Sequence, residues 1–173
     1  MADSTSPQAD KTPSQQGGTE QNAPSFQIEK IYVKDLSLEI PNAPQVFVQQ
    51  AQPQLEVQIH TEGARFAEGY YEVSVSATVS AKAGERTLFL AEVVQAGIFS
   101  VRNVPEQELD ALLGVGCPTI LFPYLRESIS DVVIRGGFPP VLLAPVSFEA
   151  IYMQRLQEQG RPGAGEPKIE VAR

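Results

Sequence analysis

The stretch YYEVSVSATVSAKAGERTLFLAEVVQAGIFSV, from Tyr70 to Val101, decides how this chain folds. Its first part alternates strictly: Tyr71, Val73, Val75, Ala77 and Val79 fall opposite Glu72, Ser74, Ser76, Thr78 and Ser80. Successive side chains of a strand leave opposite faces, so this period of two describes a strand with one wet face. Ala83-Gly84-Glu85 then reads as a hairpin turn, with a glycine free to take positive φ. Arg86 to Val101 is apolar on nearly both faces, which suits a central strand or one covered by another subunit.

Two further strands lie upstream. In FQIEKIYVKDLSLEI, from Phe26, the even positions Phe26, Ile28, Tyr32, Leu36, Leu38 and Ile40 share a face. Lys30 and Lys34 break that face, and Ile31 and Val33 break the other. LEVQIH sets Leu55, Val57 and Ile59 against Glu56, Gln58 and His60.

Downstream the period changes to that of helices. Pro105, followed by Glu106, Glu108 and Asp110, marks a helix start that Gly114 and Gly116 are expected to interrupt. Thr119 to Arg135 is then an amphipathic helix entered through Pro123, with Leu121, Leu125, Ile129, Val132 and Val133 inward and Gly136-Gly137 closing it. FPPVLLAPV is too rich in proline for a strand and reads as an extended apolar loop. Ser147 caps a last helix whose Phe148, Ile151, Tyr152, Arg155 and Leu156 share one side. The expectation is an α+β domain, a four-stranded antiparallel sheet followed by two helices.

Residues 1–25 hold hardly an aliphatic side chain and are expected to be a disordered extension; 26–159 form the domain, and 160–173 a loose, Gly- and Pro-punctuated tail. The N-terminus lacks the apolar run of a secretory signal, and no segment looks long enough to cross a bilayer. With one cysteine among 173 residues no internal disulfide is possible, which points to the reducing cytosol. A net charge of −8 disfavours nucleic acid and anionic membranes and favours a basic partner. That acidity is uneven: Phe26–Asp110 carries 12 acidic and 6 basic residues, Ala111–Gln159 only 4 and 3. The strands are acidic and the helical half is nearly neutral and apolar.

Enzymatic chemistry is poorly supplied. One histidine and one cysteine cannot build a zinc site, and Gly114-Val115-Gly116-Cys117-Pro118 lacks both the third glycine of a dinucleotide fingerprint and the Lys-Ser/Thr of a phosphate loop. Cys117 before a helix could be an activated thiol, but it reads equally as a small buried hydrophobe, and the only base, His60, belongs to the wet face of a distant strand. The apolar residues Phe138, Val141, Leu142, Leu143, Phe148, Tyr152 and Met153 exceed what two short helices need to cover one sheet face. Such a surplus marks an oligomer interface, a binding groove, or both. An enzyme would need Cys117, and a purely structural oligomer would spend the surplus on self-assembly; the residues alone leave these readings open.

Three stretches carry a resemblance: IYVKDLSLEIPNAPQVF from Ile31, LAEVVQAGIFSV from Leu90, and CPTILFPYLRESISDVVIRGGFPPVLLAPVSFEAIYMQRL from Cys117. Together they resemble the protein-export chaperone family SecB, over about Phe26–Gln159. The resemblance implies an ATP-independent holdase without cofactor, cytoplasmic, assembled as a tetramer (a dimer of dimers), that keeps unfolded precursor proteins competent for translocation. It implies a client groove at Phe47, Val141, Leu142, Leu143, Phe148, Tyr152 and Leu156. It also implies delivery to the SecA motor through Asp35, Glu39, Leu90 and Glu92, which would meet a basic, zinc-bearing C-terminal segment whose metal belongs to that partner.

Overall fold

A computed structural model describes residues 23–48 and 52–159. Most of the expected extension, and the tail from 160, lie outside the described residues. The elements are β1 (Ser25–Glu39), β2 (Gln54–Ala67), β3 (Tyr70–Ala83), β4 (Arg86–Arg102), α1 (Glu106–Ala111), α2 (Cys117–Arg135) and α3 (Phe148–Gln159), with a short 3₁₀ turn at Gln45–Phe47. The strands form one antiparallel sheet in the order β1-β4-β3-β2. The doubly apolar β4 is therefore central, as its sequence demands, and Gly84 turns the β3–β4 hairpin at φ +62°.

Register divides the sheet into two faces. The inner face carries Val73, Val75, Ala77 and Val79 of β3 beside Ala91, Val93, Gln95 and Phe99 of β4, all buried beneath α2. Leu121, Leu125, Ile129 and Val133 of α2 are wholly buried there, each stabilising the fold by roughly 1.5–3 kcal/mol through apolar burial. The outer face carries the serines and threonines of β3.

β1 departs from simple alternation for a definite reason. Its pairing with β4 shifts at Ile28/Lys30 and again at Val33/Asp35, so Glu29 and Lys34 are extra residues, each reversing the phase. Between the two bulges Ile31 and Val33 face inward with Phe26, Ile28, Leu36 and Leu38, while Tyr32 and Lys30 face outward. Tyr32 thus leaves the face that the even-number pattern assigned to it.

The helices correct two further expectations. Gly114 and Gly116 do not stop the first helix: α1 passes through a π-helical turn, Leu112–Gly116, directly into α2. Each glycine costs a helix about 1 kcal/mol, and burial of Cys117, Pro118 and Leu121 against the sheet outweighs that. Pro123 lies inside α2 and is not its entry point. The resulting helix, Glu106–Arg135, has 30 residues and is long and apolar enough to cross a membrane by length and composition, which corrects the expectation that no segment is long enough to do so. Its buried row assigns it to the core under the sheet. Gly137, at φ +84°, ends it as expected, with Phe138 N–H donating to the Val133 carbonyl at 3.3 Å.

Candidate functional site

The proline loop alternates in and out of the core. Val141 and Leu143 are each 5% exposed, whereas Leu142 between them is 79% exposed. Phe148, which opens α3, is buried edge-on against Phe122 of α2, ring centroids 5.5 Å apart. Three of the expected groove residues, Val141, Leu143 and Phe148, are thus core side chains of this chain. Phe47, Leu142, Tyr152 and Leu156 remain accessible.

These accessible residues do not form one cluster. Phe47 lies on Phe138 (5.3 Å), which lies on Phe89 of β4 (4.8 Å), making an aromatic stack at one end of the sheet. Leu142 borders α2 beside Arg126, Glu127 and Ile134. Tyr152 is packed on the π turn so closely that a Cβ on Gly114 would stand 2.7 Å from its ring, and its hydroxyl donates to Asp110 at 2.7 Å. That hydrogen bond to a carboxylate holds the Tyr152 phenol above its ordinary pKa. Ser147 Oγ accepts from the Ala150 N–H at 3.2 Å, the cap expected for α3. Arg155 donates to the Thr61 carbonyl and hydroxyl, tying α3 to β2. Along the inner row of β2, exposure falls from Leu55 through Val57 to buried Ile59 and Thr61. An apolar strip on β2 thus stays open between the Phe47 stack and α3. Phe138 and Leu55 belong to it and were not among the expected groove residues; Phe138 was legible only as part of the apolar surplus, and Leu55 only as one side of an alternating strand.

The four acidic-surface residues do come together. Across β1 and β4, Glu39 pairs with Leu90, Ser37 with Glu92 and Asp35 with Val94, all on the outer face. Thr78 of β3 donates to Glu92 Oε1 at 3.3 Å and steadies that carboxylate. Farther along the same face Glu72 accepts from Lys34 Nζ at 2.7 Å and from the Tyr32 hydroxyl. The Lys34 contact first, then the Tyr32 hydroxyl, holds Glu72 below the ordinary glutamate range, and the same carboxylate pushes Tyr32 up to about 12. Glu72 is therefore paired with Lys34, whereas among the described residues Asp35, Glu39 and Glu92 enter no ion pair.

Cys117 is wholly buried, and burial pushes its thiol up to about 12. This opposes thiolate chemistry at neutral pH. His60 sits on the outer face 3.4 Å from Glu62. Among the described residues no three His, Cys, Asp or Glu side chains gather closely enough to hold a metal.

Comparison with known proteins bears on the family and the fold. The family model described as preprotein translocase subunit SecB matches residues 19–159. Proteins called protein-export protein SecB are similar along most of their length. That of Chromobacterium violaceum is 59% identical over 140 residues, covering 81% of this chain and 93% of its own. That of Methylobacillus flagellatus is 56% identical, with 85% and 94% covered, and that of Neisseria meningitidis serogroup B 55%, with 84% and 99%. Among solved structures, a SecB-like chaperone of Mycobacterium tuberculosis in complex with a ChAD peptide from an antitoxin shares the fold. Its TM-score is 0.59 at 20% identity, covering 70% of this chain and 91% of that one.

Proposed function

This chain belongs to the SecB family and is a protein-export chaperone, and we propose that it acts as an ATP-independent holdase that delivers unfolded precursors to SecA. The observation that carries the reading is the family match across residues 19–159, together with a molecule whose two sides differ in chemistry. The inner side offers an apolar strip bordered by Phe47, Tyr152 and Leu156, and Leu142 is exposed separately, beside α2. Exposed apolar side chains hold an unfolded segment at roughly 1.5–3 kcal/mol per large side chain buried, with no sequence code. Such binding selects unfolded over folded protein without nucleotide. In a tetramer, a dimer of dimers, four such strips would engage one long client and gain avidity from its length.

The outer side supplies the delivery surface. Asp35, Glu39 and Glu92 lie along one sheet face, with Glu39 opposite Leu90, and suit a basic segment such as the zinc-bearing C-terminus of SecA, the zinc being the partner's own. The chaperone works in the cytoplasm, needs no cofactor, and engages neither nucleic acid nor the membrane interior. The test is a titration of SecA against Asp35→Asn combined with Glu92→Gln. The double variant loses SecA affinity, most visibly at low salt where exposed charges are least screened, while retaining its client and its tetramer mass. Unchanged SecA affinity at low salt sinks the assignment of that face.

A further inference from the structure

At the end of the sheet remote from Phe47, a cavity of about 550 Å³ opens between the β2–β3 turn, the end of β4 and the start of α1. Arg65, Glu68, Arg102 and Asn103 supply its polar lining. Arg102 lies over the turn, where a Cβ on Gly69 would stand 3.5 Å from its Cγ and 3.7 Å from its Nε. Arg65 Nε donates to the Ala67 carbonyl at 3.2 Å, which holds the second guanidinium beside the same turn. Lys34 and Lys82 of the sheet are paired with Glu72 and Glu56, but among the described residues neither Arg65 nor Arg102 enters an ion pair. Two guanidiniums against the single carboxylate of Glu68 leave a positive hollow in a chain of net charge −8.

The chain's own N-terminal side passes this hollow. Ser25, the first residue of β1, pairs with Arg102. The side-chain amide of Asn103, which lines the cavity, donates to the Ala23 carbonyl at 3.1 Å. Residues 1–22 therefore join the described chain at the rim of the cavity. They carry Asp3, Asp10 and Glu20 against Lys11. Glu20 is three residues ahead of the anchored Ala23, a reach of about 10 Å for extended chain, and at roughly 4.8 Å between strands that distance spans from β1 across β4 to β3. Its carboxylate can thus stand between Arg102 of β4 and Arg65 beyond the β2–β3 turn. Asp10 and Asp3, or Glu166 and Glu170 at the other end of the chain, would close much longer loops to reach the same place, at a higher entropic cost.

We propose that Arg65 and Arg102 form a carboxylate site whose occupant is Glu20 of the same chain, so that the hollow latches the N-terminal segment to the end of the sheet. A guanidinium fork offers a carboxylate two parallel N–H donors. Tyr71 and Leu109 in the cavity wall partly enclose the pair and limit its screening by water. The site is separate from the apolar strip and from the outer-face acids, and it stands whether or not those surfaces act as proposed.

The test uses the full chain with Arg102→Lys, which keeps the charge and supplies an amine, treated with a water-soluble carbodiimide at low salt. The reagent activates a carboxyl group, the amine displaces it as a urea, and an amide remains. Peptide mass mapping then reports which acid lies against position 102. Both arginines are exposed, so the fold tolerates their replacement, and a thermal melt of each variant checks this. The expected product joins Glu20 to position 102 within one chain, runs as a monomer on a denaturing gel, and vanishes with Glu20→Gln. Adding Arg65→Gln lowers its yield about threefold, the range of one partly screened ion pair, and raised salt lowers it in the same way. If the tether alone brings Glu20 near, Arg65→Gln leaves the yield unchanged, and that result overturns the site. So does a product formed instead with Glu68, with an acid of residues 160–173 or with a second chain, and so does the absence of any product.

Discussion

Leu142 and Leu143 are identical neighbours in opposite environments, and substituting each by alanine separates client binding from stability. Leu143 is 5% exposed and belongs to the core cluster under the sheet. Its truncation loses the transfer free energy of the removed methyls and leaves a cavity, about 2–5 kcal/mol. For a domain of this size each kcal/mol lowers Tm by about 2–4 °C, so Leu143→Ala melts on the order of 10 °C lower. Leu142 is 79% exposed, and Leu142→Ala should shift stability by no more than about 0.5 kcal/mol. If a client covers Leu142, the same change removes about 1–2 kcal/mol of apolar burial, roughly a five- to thirtyfold loss of affinity. The assay is thermal unfolding by circular dichroism at one fixed protein concentration, because an oligomer's Tm depends on it, beside titration of a permanently unfolded precursor. Equal falls in Tm for the two variants, with a drop in mass for Leu142→Ala, would refute the reasoning and assign Leu142 to an assembly contact.

The remaining predictions concern the thiol, the π turn and the outer face. Native Cys117 should resist alkylation at pH 8, since it is wholly buried and its thiol is pushed up to about 12, and Cys117→Ala should retain holdase function; rapid labelling of folded protein contradicts this. Gly114→Ala drives a Cβ to 2.7 Å from the Tyr152 ring, and should unseat α3 despite better helix propensity, seen as faster amide exchange in α3; unchanged exchange counts against the packing described. Glu72 has a folded pKa below its ordinary value of 4.5, so its stabilisation is present above that range and disappears as pH falls through the folded value. The stability gap between the native chain and Glu72→Gln, measured by urea titration, should therefore close toward low pH. Tyr32, raised from 10.0 to about 12 by the same carboxylate, contributes below pH 10 and loses that contribution between about 10 and 12, so Glu72→Gln should flatten the alkaline decline as well. A gap that stays constant across both limbs is evidence against the Tyr32–Glu72–Lys34 network.

How much of this was legible before the structure depended on whether the information was local. The β3–β4 hairpin, the Gly137 helix end, the Ser147 cap and the buried α2 row follow from period and chain chemistry, which act within a few residues. β1 misled because two bulges, set by pairing with β4 and not by β1 alone, reverse its phase twice; the lysines and aliphatics that appeared to break the pattern are what the bulges put right. Gly114 and Gly116 misled because glycine propensity favours a break, whereas burial of α2 from Cys117 onward and the Tyr152 ring against Gly114 favour continuity. In the proline loop the apolar excess was visible, but which of Val141, Leu142 and Leu143 faces out depends on the packing of α2 and α3. The convergence of Arg65 with Arg102 is a matter of β2, β3 and β4 ending together, with no trace in local pattern.

The central claim is nucleotide-free retention of unfolded protein. Its most direct measurement is dilution of a reduced, unfolded precursor into buffer with and without the full chain, no ATP present, following turbidity while multi-angle light scattering gives the mass of any complex. Suppressed aggregation and a soluble complex of tetramer plus client are the expected result. Aggregation at the uncatalysed rate, with the tetramer intact and no client bound to it, would contradict it.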